Sequence, residues 1–263
     1  MEAAAVKAES AAASRDRSER PELARGWCER EVSEELPGLH LLHTHSHVAH
    51  VLRASPPAVK RRLAALSNRW GGAHAVSLRQ RPVPAAYRVF FRHIGLDPDV
   101  VRTPIEEAMF ARMMQGGFHS NHLLADALLI TLVDTGVPVW ALDAATVEEP
   151  LGIRSSRQGE QFGGPLAHAP TQSPAHPPAR TSALKPARTS ARSSNDRLLP
   201  AGRLVVADAR RAVAVLFGEI APGHAAGVDA DEVVLFTLQV PGVPSLHVEE
   251  ALWMCRATLE GPR

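Results

Sequence analysis

The chain is short of several residue types at once, and each shortage narrows what it can be. Its two cysteines, Cys28 and Cys255, lie far apart in 263 residues and match no Cys-x-x-Cys spacing. That excludes a disulfide scaffold and a thiolate metal finger, and both are read as free thiols in a reducing, cytoplasmic setting. No run approaches the ~18 consecutive apolar residues of a membrane span. The N-terminal MEAAAVKAESAAASRDRSERPE lacks the apolar core of a secretory signal. Net charge is only +1, so no whole-molecule field draws the chain to nucleic acid, and any such contact must come from a local patch. Only three of the 29 basic residues are lysine, Lys7, Lys60 and Lys185. A GC-rich genome explains the arginine bias more simply than selection for phosphate binding.

What is present is 45% hydrophobic content, enough for a sizeable core. Residues 1–30, rich in Ala, Ser, Glu and Arg, are read as a disordered leader, with order starting near Leu36. The segment LPGLHLLHTHSHVAHVL alternates as a strand does. Ser55 and Pro56 offer an N-cap and a first-turn proline for a helix with Val59, Leu63 and Leu66 on its apolar face. Val83, Tyr87, Phe90, Phe91 and Ile94 recur at helical offsets and stop at Gly95. Thr103-Pro104-Ile105-Glu106 is a capping box for a third helix, which runs to Gly116 and Gly117. A fourth spans Asn121 to Thr135.

After Asp143 the texture turns to short strand-like runs: Leu151 to Arg154, Arg203 to Ala207, Ala212 to Phe217 and Val233 to Val240. An amphipathic helix from Ser245, with Val248, Leu252, Cys255 and Leu259 on one stripe, closes the chain. Between about 164 and 200 lies a Pro, Ser, Ala and Arg insertion that contains PARTSA twice. With strand-like runs on both sides, it reads as a disordered loop inside one domain, residues 31–263. Its Arg180, Lys185, Arg188, Arg192 and Arg197 could brush phosphates, but a solvated tether is the favoured reading. The fold expected is α/β (α+β): a three-layer domain, a mixed β-sheet with flanking helices.

The run Asn121 to Asp143, NHLLADALLITLVDTGVPVWALD, resembles a stretch of the editing domain of the bacterial phenylalanyl-tRNA synthetase beta subunit, the B3/B4 domain. Asp126, Gly136, Pro138, Ala141 and Asp143 fall in register with that family. Freestanding proteins of the family look similar in YRVFFRHIGLDP (Tyr87 to Pro98), in the Gly152 to Arg154 strand, in GEQF (Gly159 to Phe162) and in GRLVVAD (Gly202 to Asp208). The resemblance covers about Pro82 to Glu260 without the insertion. No synthetase catalytic module, anticodon module or metal fingerprint accompanies it.

The resemblance implies binding of RNA, at the acceptor end of an aminoacyl-tRNA, and hydrolysis of a mischarged ester. No cofactor, no membrane and no DNA are expected. The sequence departs from the family at two positions. The family's His falls on Trp140, whose indole N–H can donate but cannot act as a base near neutral pH. The Glu that reads a tyrosine hydroxyl falls on Thr237. The catalytic residues are therefore unknown, and the pocket expected from the resemblance comprises Asp126, Trp140, Asp143, Arg154 and Thr237. An alternative is a non-catalytic module that holds a small molecule, an amino acid or a derivative, in the same pocket.

Trp140 could floor such a pocket or simply pack under the sheet, and packing is favoured. Asp126, on an apolar helix, needs a partner, and Arg154 or Arg88 could supply it. His43, His45 and His47 would share a strand face and, with His40 and His50, invite a metal reading, but no recognisable ligand spacing completes it. A solvated or edge-strand run is favoured and no metal is expected. A Ser120, His119 and Asp126 trio lacks a nucleophile-elbow pattern. The loop Gly218 to Gly227 lacks P-loop residues and reads as a pocket rim.

Overall fold

The computed structural model describes residues 23–48, 54–71, 77–164 and 198–261. Two short strands, β1 (Ala24–Arg25) and β2 (Trp27–Cys28), lead through α1 (Arg30–Glu35) to β3 (His40–His47). Four helices follow: α2 (Pro57–Arg69), α3 (Pro82–His93), α4 (Pro104–Gln115) and α5 (Leu123–Thr135). The rest is β4 (Val139–Asp143), β5 (Gly152–Ser155), β6 (Leu204–Ala207), β7 (Ala212–Val215), β8 (Glu232–Gln239) and α6 (Ser245–Glu260).

The α+β class expected from the sequence is present, but the strands divide between two sheets. One, ordered β1-β3-β8-β4, is antiparallel throughout; the other, β2-β5-β6-β7, is mixed, with β2 parallel to β5. The reason lies in β8, whose run EVVLFTLQ is buried at all but its two ends. Such a strand needs cover on both faces and sits centrally, between β3 and β4. Helix α6 lies against β3, β8 and β4, beside α5.

Local chemistry places the helices. Thr103 and Glu106 form the expected capping box and Gly116, at φ 77°, ends α4. Ser55 does not cap α2, correcting that expectation: Pro56 holds the N-cap position and the Ser55 hydroxyl is used elsewhere. Residues 23–30, read from composition as part of a disordered leader, carry β1, β2 and the start of α1, and Trp27 anchors them. Its indole lies so close over Gly152 that a Cβ there would stand 2.1 Å from the ring, and its Nε1 donates to the Pro150 carbonyl at 3.1 Å. Residues 1–22 and most of the insertion, 165–197, lie outside the described residues. The insertion's two ends meet, since Gln161 bridges Leu198 and the Leu199 N–H donates to Glu160.

Helix α3 is fixed by rings. Tyr87, Phe90 and Phe91 surround Phe217, just beyond β7, at centroid distances of 5.8, 5.8 and 5.1 Å. Trp140 meets the same ring edge-on at 5.8 Å and stacks on Phe236 at 5.5 Å. Tyr87 donates its hydroxyl to the Leu238 carbonyl at 2.8 Å, tying α3 to the central strand. Truncating the hub, Phe217→Ala, is expected to lower unfolding free energy by about 3 kcal/mol. Urea denaturation checks this, and Phe217→Leu should lose clearly less.

Candidate functional site

A cleft of about 360 Å³ opens where the C-terminal end of α3 faces the second sheet. Ile94, Leu204 and Leu216 give it apolar walls, and Glu35, His93, Ser155 and Arg203 bring polar groups. Their positions follow from the fold: Glu35 ends α1, His93 ends α3, Ser155 ends β5 and Arg203 precedes β6. Neither the Glu35 carboxylate nor the Arg203 guanidinium has an ion-pair or hydrogen-bond partner among the described residues, so both are available to a ligand. An unpaired anion, an unpaired cation and an imidazole beside apolar walls suit a small dipolar molecule. No sequence pattern signals this set, because its members come from four separate elements.

The five residues expected at a pocket do not converge, and none lines this cleft. Asp126 is 1% exposed, and its partner is neither Arg154 nor Arg88. Its Oδ2 accepts from the hydroxyls of Ser55 and Ser120, each at 2.5 Å, and its Oδ1 from the Asn121 N–H at 2.9 Å. Arg154 is buried in a two-pronged pair with Glu160, while Arg88 bonds Glu106 and Asp99. Burial alone would raise the Glu160 carboxyl, but the Arg154 guanidinium and the Arg157 N–H hold it below its ordinary value.

Asp143 accepts from the Ala145 N–H at 3.0 Å and starts a short turn. Thr237 donates to the Pro138 carbonyl at 2.7 Å. Trp140 pairs across the sheet with Phe236, and Thr237 pairs with Val139. Because side chains alternate, Trp140 and Thr237 point to opposite faces and cannot share a pocket. Trp140 reaches the cleft only indirectly, through Phe217, the neighbour of the lining residue Leu216.

The histidine run acquires carboxylates that sequence spacing could not reveal. His45 bridges two of them, Nε2 to Glu149 at 3.0 Å and Nδ1 to Glu232 at 2.9 Å. A neutral imidazole carries one N–H, so this double bridge favours the imidazolium. Burial pulls the His45 pKa down, yet the two glutamates outweigh it and the net shift is up. His43, 5% exposed, is shifted down chiefly by burial, although Glu149 Oε1 is 3.3 Å from its Nδ1. Among the described residues no group of three His, Cys, Asp or Glu is placed to hold a metal ion. His119 bonds the Gln115 carbonyl and stands apart from the Ser120–Asp126 pair. The Gly218 to Gly227 loop straps β7 to β4, with His224 accepting from the Asp143 N–H and Ala225 bridging Leu142.

Two outcomes follow from this chemistry. Asp126→Ala, which strands the buried Ser55 hydroxyl and leaves the Ser120 hydroxyl and Asn121 N–H without their acceptor, should cost about 3 kcal/mol in urea unfolding, against about 1 for Ser55→Ala. In an NMR titration His45 should protonate above 6.5 and His43 below it. The stability that His45 contributes is complete below pH 6.5 and is lost as pH rises through its raised folded value; His45→Gln should remove that component.

No helix among the described residues is long and apolar enough to cross a membrane. No family model matches the chain. Over 68 residues, 26% of its length, the chain is 35% identical to the phenylalanine–tRNA ligase beta subunit of Xanthomonas euvesicatoria pv. vesicatoria (strain 85-10). The match to the same subunit of Xanthomonas axonopodis pv. citri (strain 306) has the same identity and extent. The matched stretch spans 8% of the length of each relative. Within its α+β fold, the chain carries a stretch related to part of the phenylalanine–tRNA ligase beta subunit.

Proposed function

We propose that the protein binds the acceptor end of an aminoacyl-tRNA, as a beta-subunit-like B3/B4 module, and hydrolyses a mischarged ester there. The observation that carries this reading is the 68-residue likeness to the phenylalanine–tRNA ligase beta subunit. The cleft at the end of α3 supplies compatible chemistry. Glu35 suits the α-ammonium group of an aminoacyl ester, Arg203 suits a phosphate or the ester carbonyl, and Ile94, Leu204 and Leu216 suit an apolar side chain. His93 is the imidazole at hand to take a proton from water as it attacks the ester carbonyl. The acyl carbon–oxygen bond then breaks, and the ribose hydroxyl leaves with a proton. No step needs a metal or an organic cofactor.

One observation favours a second reading, a non-catalytic module for an amino acid or a derivative. Trp140 is committed to ring packing and Thr237 to a backbone carbonyl, so the two positions where the family places His and Glu contribute no acid–base group. Deacylation of a panel of mischarged tRNAs separates the two. The first reading expects turnover that falls at least a hundredfold in His93→Ala while tRNA affinity is kept. Binding without turnover supports the second. Absence of both turnover and low-salt tRNA binding sinks the acceptor-end reading.

A further inference from the structure

A second cavity, of about 310 Å³, lies at the opposite, N-terminal end of α3. Its walls are mostly apolar: Leu78, Pro82, Val83, Pro84 and Val133. Gly136, left-handed at φ 77°, closes α5 at the cavity wall, where a Cβ would stand 3.2 Å from the Pro84 ring. The rim is different in character. Arg81, Asp134 and His247 line it. Two further arginines reach in from α2 to the Asp134 carboxylate, Arg62 at 2.9 Å and Arg69 at 2.5 Å.

Two guanidinium groups therefore hold the one carboxylate, and a third, Arg81, lines the same rim. The structural role of Asp134, tying α2 to α5, accounts for Arg62 and Arg69 but not for Arg81, which has no carboxylate partner among the described residues. Arg81 is nonetheless held in place, its guanidinium 4.5 Å from the centre of the buried Trp70 indole, with Arg69 at 5.7 Å from the same ring. A cation positioned in advance loses little side-chain freedom when it meets an anion. Positive charge in excess thus stands at the mouth of an apolar slot of ligand size.

We propose that this cavity binds a nucleoside phosphate. The base lies in the slot between the Pro82–Pro84 turn and Val133, and the phosphate meets the Arg81 fork with Arg69 beside it. Asp134, 17% exposed at its side chain, is left to accept a hydrogen bond from a ribose hydroxyl or an exocyclic amine. Planar forks that bind phosphate oxygens in pairs are the usual reason for arginine at such a rim. The same chemistry serves a free mononucleotide or the terminal unit of an RNA strand.

Isothermal titration of the full chain with AMP, adenosine, inorganic phosphate and a short single-stranded RNA bearing a terminal phosphate tests the assignment. AMP should bind at least tenfold tighter than adenosine or phosphate alone, and Arg81→Ala should weaken it at least tenfold while circular dichroism shows the fold retained. Arg81→Lys, which keeps the charge but not the fork, should recover part of the loss. The oligonucleotide assigns the source: tighter binding than AMP points to a strand end, equal or weaker binding to the free nucleotide, and both uphold the site. No heat or thermal shift at millimolar AMP would overturn it. So would phosphate binding as tightly as AMP, or AMP binding unaltered in both Arg81 variants. Deacylation reads the first cavity and AMP binding the second, so this site and the editing reading fail separately.

Discussion

The packing of Phe217 against the aromatic face of α3 is the contact on which the rest of the structure depends. Phe217 sits at φ 55°, a left-handed conformation that costs a non-glycine residue roughly 1 kcal/mol. It is kept there by four rings, and aromatic pairs contribute about 0.5–1.5 kcal/mol each beyond the area they bury, so packing outweighs strain. Since Phe217 follows β7 and Trp140 belongs to β4, one ring joins both sheets to one helix. The two cavities open at opposite ends of that helix, so its placement fixes both.

That dependence also explains which features were legible beforehand. Helix α3 was readable because its apolar residues recur at helical offsets and end at Gly95, and α4 because its capping box is local. Strand β8 was readable as an apolar run, but its place between β3 and β4 was not, since that rests on pairing with residues far away in sequence. Trp27 was hidden in a polar N-terminal stretch whose composition outweighs a single anchor. The partner of Asp126 was misassigned for a related reason. Charge suggested an arginine, whereas the fold supplies Ser55, 71 residues away, with Ser120 and Asn121.

The expected pocket residues teach a narrower lesson about polar groups in apolar surroundings. Asp126 stood out in the sequence because it interrupts an apolar helix, and Arg154 and Thr237 because they fall at positions that the family resemblance marks. In the structure each is buried and bonded, as it must be, because an unbonded polar group costs more than its bond returns. Such an interruption marks a group that the fold has to satisfy. A group free for chemistry has the opposite signature, unpaired at the edge of a cavity, like Glu35, Arg203 and Arg81. No property of the sequence distinguishes those three from the other charged residues on the surface.

Net charge misleads in the same way. At +1 the chain has almost no long-range field, yet each cavity carries an arginine without a carboxylate partner among the described residues. With 12 residues, α3 is about 18 Å long, so the cavities lie roughly two Debye lengths apart at physiological salt, where that length is about 8 Å. Screening makes them electrostatically independent, so an anion at either one would be held by that cavity's own forks and walls. A weakly charged protein built this way selects by local geometry, and it would bind anions whose apolar part fits the adjoining slot in preference to polyanions at large.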